Sequence, residues 1–309
     1  MMRMARPRIL CIVAAWVLAA SVRAPAQNRG VYPLGLSALN SGVTPQPGFS
    51  YSNQLLFYAR DQSKDDDGQK LPPTGKNVVV MDMNSFIWVS RKKFLGAHYS
   101  ATATLPFAKN NLSSDINGNI SGGAGFADSY YIPAILGWDL ESAAIRVMYG
   151  FLAPTGRYVS TANNNVGSGY WTHTVSSGQT FYPVKSKVLA LSLFQMYEFH
   201  TTQEGTGVHP GGTFDLDYSL MASVSQTEKV RFQMGLVGYE QRQTTARTGP
   251  DIASSTLHER YAVNGIGIAL NGAFPRRKAS LNLRLIKEFA NRSTFQGYSV
   301  QLAGAISFR

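Results

Sequence analysis

The stretch that decides the fold lies at the C-terminus and reads Tyr298-Ser299-Val300-Gln301-Leu302-Ala303-Gly304-Ala305-Ile306-Ser307-Phe308. Successive side chains of a β-strand point to opposite faces, so Tyr298, Val300, Leu302, Ile306 and Phe308 share one face, and Ser299, Gln301, Ala303, Ala305 and Ser307 share the other. One face is large and apolar; the other is small or polar. Such a strand separates two unlike environments. The same period recurs upstream. Leu281, Leu283, Leu285 and Phe289 alternate with Ser280, Asn282, Arg284 and Glu288; Leu189, Leu191, Leu193, Tyr197 and Phe199 alternate with Ala190, Ser192, Glu198 and His200; Phe214, Leu216, Tyr218 and Leu220 alternate with Asp215, Asp217 and Ser219. Helical periodicity is hard to find, and no apolar run reaches the length of a membrane-crossing helix.

The pattern predicts twelve strands, at 48–59, 78–90, 96–107, 128–138, 143–152, 171–182, 188–202, 213–224, 230–243, 257–270, 279–289 and 295–308. Most exceed the roughly 5–6 residues of soluble strands and match the roughly 9–11 that a tilted strand needs to cross a bilayer. The connections alternate. Those at 60–77, 108–127, 153–170, 203–212 and 244–256 are long, while 91–95, 139–142, 183–187, 225–229 and 271–278 are shorter; only 290–294 breaks the rule. An even strand number, short periplasmic turns and long external loops describe an up-and-down antiparallel β-barrel of the outer membrane of a Gram-negative-type bacterium. Trp88, Tyr130, Tyr131, Trp138, Tyr149, Phe151, Tyr170, Trp171, Tyr197, Phe199 and Phe308 fall near strand ends, as interfacial aromatic girdles do.

The N-terminus fits export. Arg3, Arg6 and Arg8 precede an apolar run from Ile9 to Val22, and Ala24-Pro25-Ala26 follows as a small-residue cleavage pattern. Residues 1–26 therefore read as a signal peptide, residues 27–47 as a Gly/Pro-rich leader, and residues 48–309 as the barrel. The leader has no period; it reads as a periplasmic tail or as a plug, with the tail favoured. The whole chain of 309 residues carries 29 Lys+Arg against 18 Asp+Glu, a formal +11. The signal peptide takes four Arg with it, leaving 25 cations and a surplus of seven. Only 15% of residues are charged and 11% are aromatic, which argues against disorder. The single cysteine, Cys11, excludes a disulfide scaffold.

On these residues the chain resembles the MetA-pathway phenol-degradation family of outer-membrane proteins, loosely akin to FadL-type channels. Gly30-Val31-Tyr32-Pro33-Leu34-Gly35 and Gly42-Val43-Thr44-Pro45-Gln46-Pro47-Gly48-Phe49 are similar to that family's leader. Gly125-Phe126-Ala127-Asp128 is similar to its G-F-G-D turn, with Ala127 in place of a glycine, and Pro154-Thr155-Gly156-Arg157-Tyr158 to its P-T-G-x-Y corner. Tyr197-Glu198-Phe199, Phe214-Asp215-Leu216-Asp217-Tyr218 and Gly235-Leu236-Val237-Gly238-Tyr239 are similar to its later strands. Such barrels usually end on an aromatic residue, whereas Arg309 follows Phe308 here. The resemblance implies passage of small apolar or aromatic compounds.

A channel acts through its lumen. The inward faces carry Arg146, Glu198, His200, Asp215, Asp217, Arg231, Arg284 and Glu288. These mixed charges read either as a polar pore or as an ion-paired network packing a narrow barrel. Asp215 and Asp217 are expected to pair with Arg231 or Arg146, because buried charges are normally paired. His98 and Ser100 share the lumen-facing side of one strand, but no third orienting group and no G-x-S-x-G elbow accompany them, so no catalytic site is expected. An enzyme acting on lipids and a secreted β-sheet binding protein are the alternatives. Lys64-Asp65-Asp66-Asp67-Gly68 lacks the ligand spacing of a calcium loop and reads as a solvated turn. Neither metal nor cofactor is expected. The basic run Arg91-Lys92-Lys93 is isolated and falls in a periplasmic turn, so nucleic acid is not an expected partner. The expected partners are membrane lipid, lipopolysaccharide at the loops and a small-molecule solute.

Overall fold

The computed structural model describes residues 30–72, 75–250, 252 and 260–308. The signal peptide expected over 1–26, Cys11 included, lies outside the described residues, as does Arg309.

Thirteen strands follow one another: β1 (Gly48–Lys64), β2 (Gly75–Phe94), β3 (Ala97–Ser114), β4 (Gly118–Phe126), β5 (Ser129–Asp139), β6 (Ala143–Ala153), β7 (Thr172–Phe181), β8 (Leu189–His200), β9 (Thr213–Gln226), β10 (Arg231–Gln243), β11 (Ala262–Phe274), β12 (Ala279–Glu288) and β13 (Thr294–Phe308). All pairings are antiparallel, and the first strand meets the last along a seam running from Phe49 opposite Phe308 to Lys64 opposite Thr294. With β4 set aside, twelve strands close the ring. A bilayer offers no water to an open sheet edge, so closure is what lets this sheet span it.

The extra strand corrects the sequence reading of 108–127 as a loop. The upper part of β3, from Phe107 to Ser114, pairs with β4, while His98–Thr104 pairs with β5. The hairpin therefore rises above the ring, and the glycines of Gly118-Asn-Ile-Ser-Gly-Gly-Ala-Gly-Phe126 hide it from an apolar-alternation test. The expected strand at 257–270 also shifts: the ladder begins at Ala262, and residues 253–259 lie outside the described set. Arg91-Lys92-Lys93 belongs to β2 rather than to a turn. The turn is Leu95-Gly96, both with positive φ (50° and 76°), the geometry that suits the twist of a tight hairpin.

The two faces of the wall follow the sequence alternation. Gln301 is 1% exposed, whereas its neighbour Leu302 is 41% exposed, and Arg284 at 2% sits beside Leu285 at 42%. Two aromatic bands mark the membrane boundaries. Trp88 packs on Tyr99 and Phe49 faces Phe308 at the periplasmic end. Phe151 lies between Tyr131 and Trp171 at the external end, beside the Tyr197–Phe199 pair. Tyr130 and Tyr170 do not join these bands. Tyr130 shares a hydrogen bond of 2.7 Å with Thr174 inside the barrel, and Tyr170 is buried with its ring edge-on to His200.

Candidate functional site in the lumen

A segment with no strand partner must satisfy its backbone groups by other means. Residues 30–47 do so on the inner wall, which places inside the barrel the leader that the sequence had favoured as a tail. Near the periplasmic end, Gly42 N donates to Thr180 Oγ1 (3.1 Å). The Arg146 guanidinium donates twice to the Ser41 carbonyl (2.8 and 2.5 Å). Ser219 Oγ donates to the Ala38 carbonyl (2.7 Å). At mid-height Arg284 Nη1 donates to the carbonyls of Gly35 and Leu36, and Gln301 Nε2 to that of Leu34 (2.8 Å). Asp217 accepts from the Tyr32 hydroxyl (2.5 Å), Gly35 N (2.9 Å) and Ser37 N (3.1 Å). Toward the external end, Glu198 accepts from Val31 N and Tyr32 N (2.9 and 2.8 Å), and Gly30 N donates to the Tyr261 hydroxyl (2.6 Å).

Two glycines make this seat possible. Gly35 has φ +86°, a conformation other residues rarely adopt, and it turns its N–H onto Asp217. Gly178 faces the leader, and a Cβ there would run into the backbone carbonyl of Ser41.

Seven of the eight lumen residues expected from the sequence turn inward and are engaged by the leader or the wall; the expected ion pairs among them are absent. Asp217 binds the leader, and Asp215 accepts from Gln241 Nε2 (2.7 Å). Arg146 serves a carbonyl. Arg231 is exposed at the first position of β10. Asp217 lies opposite Tyr239, so Arg231 is ~26 Å further along that strand at ~3.3 Å per residue, beyond side-chain reach. His200 bonds Thr172 Oγ1 (2.8 Å) and stands 3.5 Å from Glu198. Glu288 accepts from Asn291 Nδ2 (3.0 Å), Gly297 N (2.8 Å) and the hydroxyls of Tyr239 and Tyr58, bracing the β12–β13 connection. Reading side chains alone missed Tyr32, which lies in a segment without periodicity, Tyr261 and Gln301, which bond that segment, and Gln241, which bonds Asp215.

From Gly30 to Ala38 the leader lies against β8 to β13, and Ser41 and Gly42 reach β6 and β7 near the periplasmic end. The remaining lumen, on the side of β1 to β8, holds a cavity of about 1350 Å³. Its wall carries an apolar patch where the opposite wall is charged: Met81, Met83, Ile132, Ile135, Met148, Phe194 and Met196 line it, among small polar side chains such as Ser85, Thr104 and Ser176, with Tyr32, Pro33 and Leu36 of the leader as the facing surface. Ile135, Met148, Phe194 and Met196 form one buried cluster against which Tyr32 packs. At the external mouth stand Tyr158, Tyr170 and Arg247. Burial pushes the Tyr170 phenol up and the Arg247 guanidinium down from their ordinary values.

The mouth is shaped by the two corner motifs. Asp128 accepts from Gly156 N (2.9 Å), Ser168 N (2.7 Å) and Ser168 Oγ (2.6 Å), and Ser129 N donates to Thr155 Oγ1 (2.9 Å). The Gly125–Asp128 turn thereby holds both ends of the loop between β6 and β7.

His98 Nδ1 lies 3.2 Å from the Ser90 carbonyl oxygen, and no hydrogen bond joins His98 to Ser100. Asp65 accepts from Gln69 N within its own turn (2.7 Å). Among the described residues no group of three His, Cys, Asp or Glu side chains converges as a metal site.

A closed antiparallel ring, apolar outside and polar within, girdled by aromatics and entered by its own leader, defines a transmembrane β-barrel of the Gram-negative outer membrane. The chain belongs to the family described as "Putative MetA-pathway of phenol degradation", whose model matches residues 60–303. Its fold is similar to that of an outer membrane channel from Pseudomonas putida F1, with a TM-score of 0.72 at 14% identity over 90% of this chain and 100% of that one. It is also similar to the β domain of the Bordetella autotransporter BrkA, with a TM-score of 0.56 at 10% identity over 85% of this chain and 100% of that one. No curated protein matches the sequence.

Proposed function

We propose that this barrel is a channel for small apolar or aromatic solutes, which pass through the space between the methionine-rich wall and the leader. The observation that carries this reading is the apolar patch of Met81, Met83, Ile135, Met148, Phe194 and Met196 in the wall of the 1350 Å³ cavity, opposite a wall that is charged. Methionine side chains are flexible and polarisable, so they adapt to solutes of varied shape and make favourable contacts with aromatic rings. The family assignment supports aromatic compounds as the solute class. The leader narrows the passage and supplies one of its walls. The outer-membrane channel of Pseudomonas putida F1 shares the fold alone at this identity; it supports passage rather than catalysis as the role. Lipopolysaccharide is the partner proposed for the external loops.

The test is permeation into proteoliposomes. Phenol-sized aromatic solutes are expected to enter faster than sugars of equal mass. Removal of residues 30–47 is expected to raise flux and weaken that preference. Equal entry of both solutes through the intact protein, or no entry even without the leader, refutes the proposal.

A further inference from the structure

On β1 and β2 four polar side chains stand together on the lipid side of the wall, as Ser177, Gln179 and Gln195 do on β7 and β8. The outward positions of β1 run Phe49, Tyr51, Asn53, Leu55 and Phe57; opposite them on β2 run Trp88, Phe86, Asn84, Asp82 and Val80. The apolar members are exposed to the bilayer. The polar ones form a single cluster: Tyr51 OH donates to Asn84 Oδ1 (2.6 Å), and Asn53 Nδ2 donates to Asp82 Oδ1 (2.5 Å) and Asn84 Oδ1 (3.3 Å). Apolar residues bracket the cluster above and below on both strands, so it sits in the lipid belt, where no water completes a hydrogen bond.

The cluster is incomplete. Among the described residues, the Asn84 amide nitrogen, the second Asp82 oxygen and the Asn53 amide oxygen have no hydrogen-bond partner. Two N–H donors on Asn84 are thus matched by two acceptor atoms, on Asp82 and Asn53. Acyl chains offer neither kind of group. A second copy of the same surface, related by a two-fold axis, offers both in the required arrangement, because an isologous contact brings residue i to j and j to i. Beside the cluster, Gly304 leaves an outward groove between Asn53 and Leu281 that has room for an apolar side chain.

We infer that the outward face of β1 and β2 is the contact surface of a homodimer, in which Asn84 of each copy donates to Asp82 and Asn53 of the other. The test uses single cysteines in the native outer membrane, with Cys11 replaced by Ser. Leu55→Cys, at the centre of the face, is expected to give a cross-linked dimer with a short bis-maleimide, and Leu220→Cys, on β9, none. Adding Asp82→Leu and Asn84→Leu to Leu55→Cys is expected to lower the dimer yield at least tenfold while the heat-modifiable gel migration of a closed barrel persists. Failure of Leu55→Cys to cross-link in the otherwise native protein overturns the inference. So does a folded double-leucine variant that cross-links as well as its parent.

Discussion

Asp217→Ala should unseat the leader. The carboxylate accepts three hydrogen bonds from it, from the Tyr32 hydroxyl and from the backbone N–H groups of Gly35 and Ser37. Hydrogen bonds to a charged group contribute about 1.5–3 kcal/mol each, and a buried N–H left unpaired costs about 1–3 kcal/mol. These terms overlap, and the loosened segment recovers some partners, so the expected loss is about 3–5 kcal/mol. At ~1.4 kcal/mol per tenfold, the ratio of seated to released leader falls by roughly 10²–10⁴. A thiol at Leu34, a leader residue that is 7% exposed and packed against Val237, Tyr239 and Ile286 of the wall while the leader is seated, reports this ratio. In a Cys11→Ser, Leu34→Cys background, maleimide labelling from solvent should accelerate at least tenfold with Asp217→Ala. Asp217→Asn keeps an acceptor oxygen and should fall between. A change of less than twofold in a barrel that still migrates as folded would refute the view that Asp217 anchors the leader.

Three further outcomes follow from the geometry. Met81→Lys, at a half-buried position of the cavity wall, places a cation among the apolar side chains and should reduce aromatic solute flux about tenfold in proteoliposomes, because an apolar solute passing it takes water from the charge. Asp128→Ala removes the acceptor of Gly156 N, Ser168 N and Ser168 Oγ; the loop between β6 and β7 should become a protease cleavage site, with a local loss of about 2–4 kcal/mol read from the cleavage rate. Leu302→Arg sets a cation in the lipid belt and should cost about 2–4 kcal/mol in equilibrium refolding into vesicles, whereas Ser307→Arg, inward and near the rim, should cost less than half of that.

The barrel was legible in the sequence because each strand faces lipid on one side and a lumen on the other. Leu281, Leu285 and Leu302 lie outward and Arg284 and Gln301 inward, as their parity requires. The β4 hairpin was not legible, since above the membrane nothing forces an apolar face, and its glycine-rich strand shows none. The lumen residues were legible as inward-facing but not as partners. Charges on neighbouring strands suggest ion pairs, yet Arg146, Arg284, Asp217 and Glu198 all answer to the leader's backbone. Backbone donors and acceptors are the same for every residue, so the sequence of the leader carries little trace of where it docks. Gly35 is an exception in hindsight, since its turn toward Asp217 needs a residue without a side chain. The methionines of the apolar wall were also passed over, because an apolar residue at an inward position looks like a break in the alternation rather than a lining.

The leader makes the bore of this channel separable from its frame. The ring is held by ladder hydrogen bonds and by the lipid-facing residues, and none of these involve residues 30–47. The free cross-section is instead whatever that short segment leaves open against β1 to β8. Shortening it, or exchanging Tyr32, Pro33 and Leu36 for smaller or larger side chains, would grade the aperture in small steps while the same twelve strands assemble around it. As a nanopore, the barrel would be tuned for solute size through its insert, with the wall left as it is.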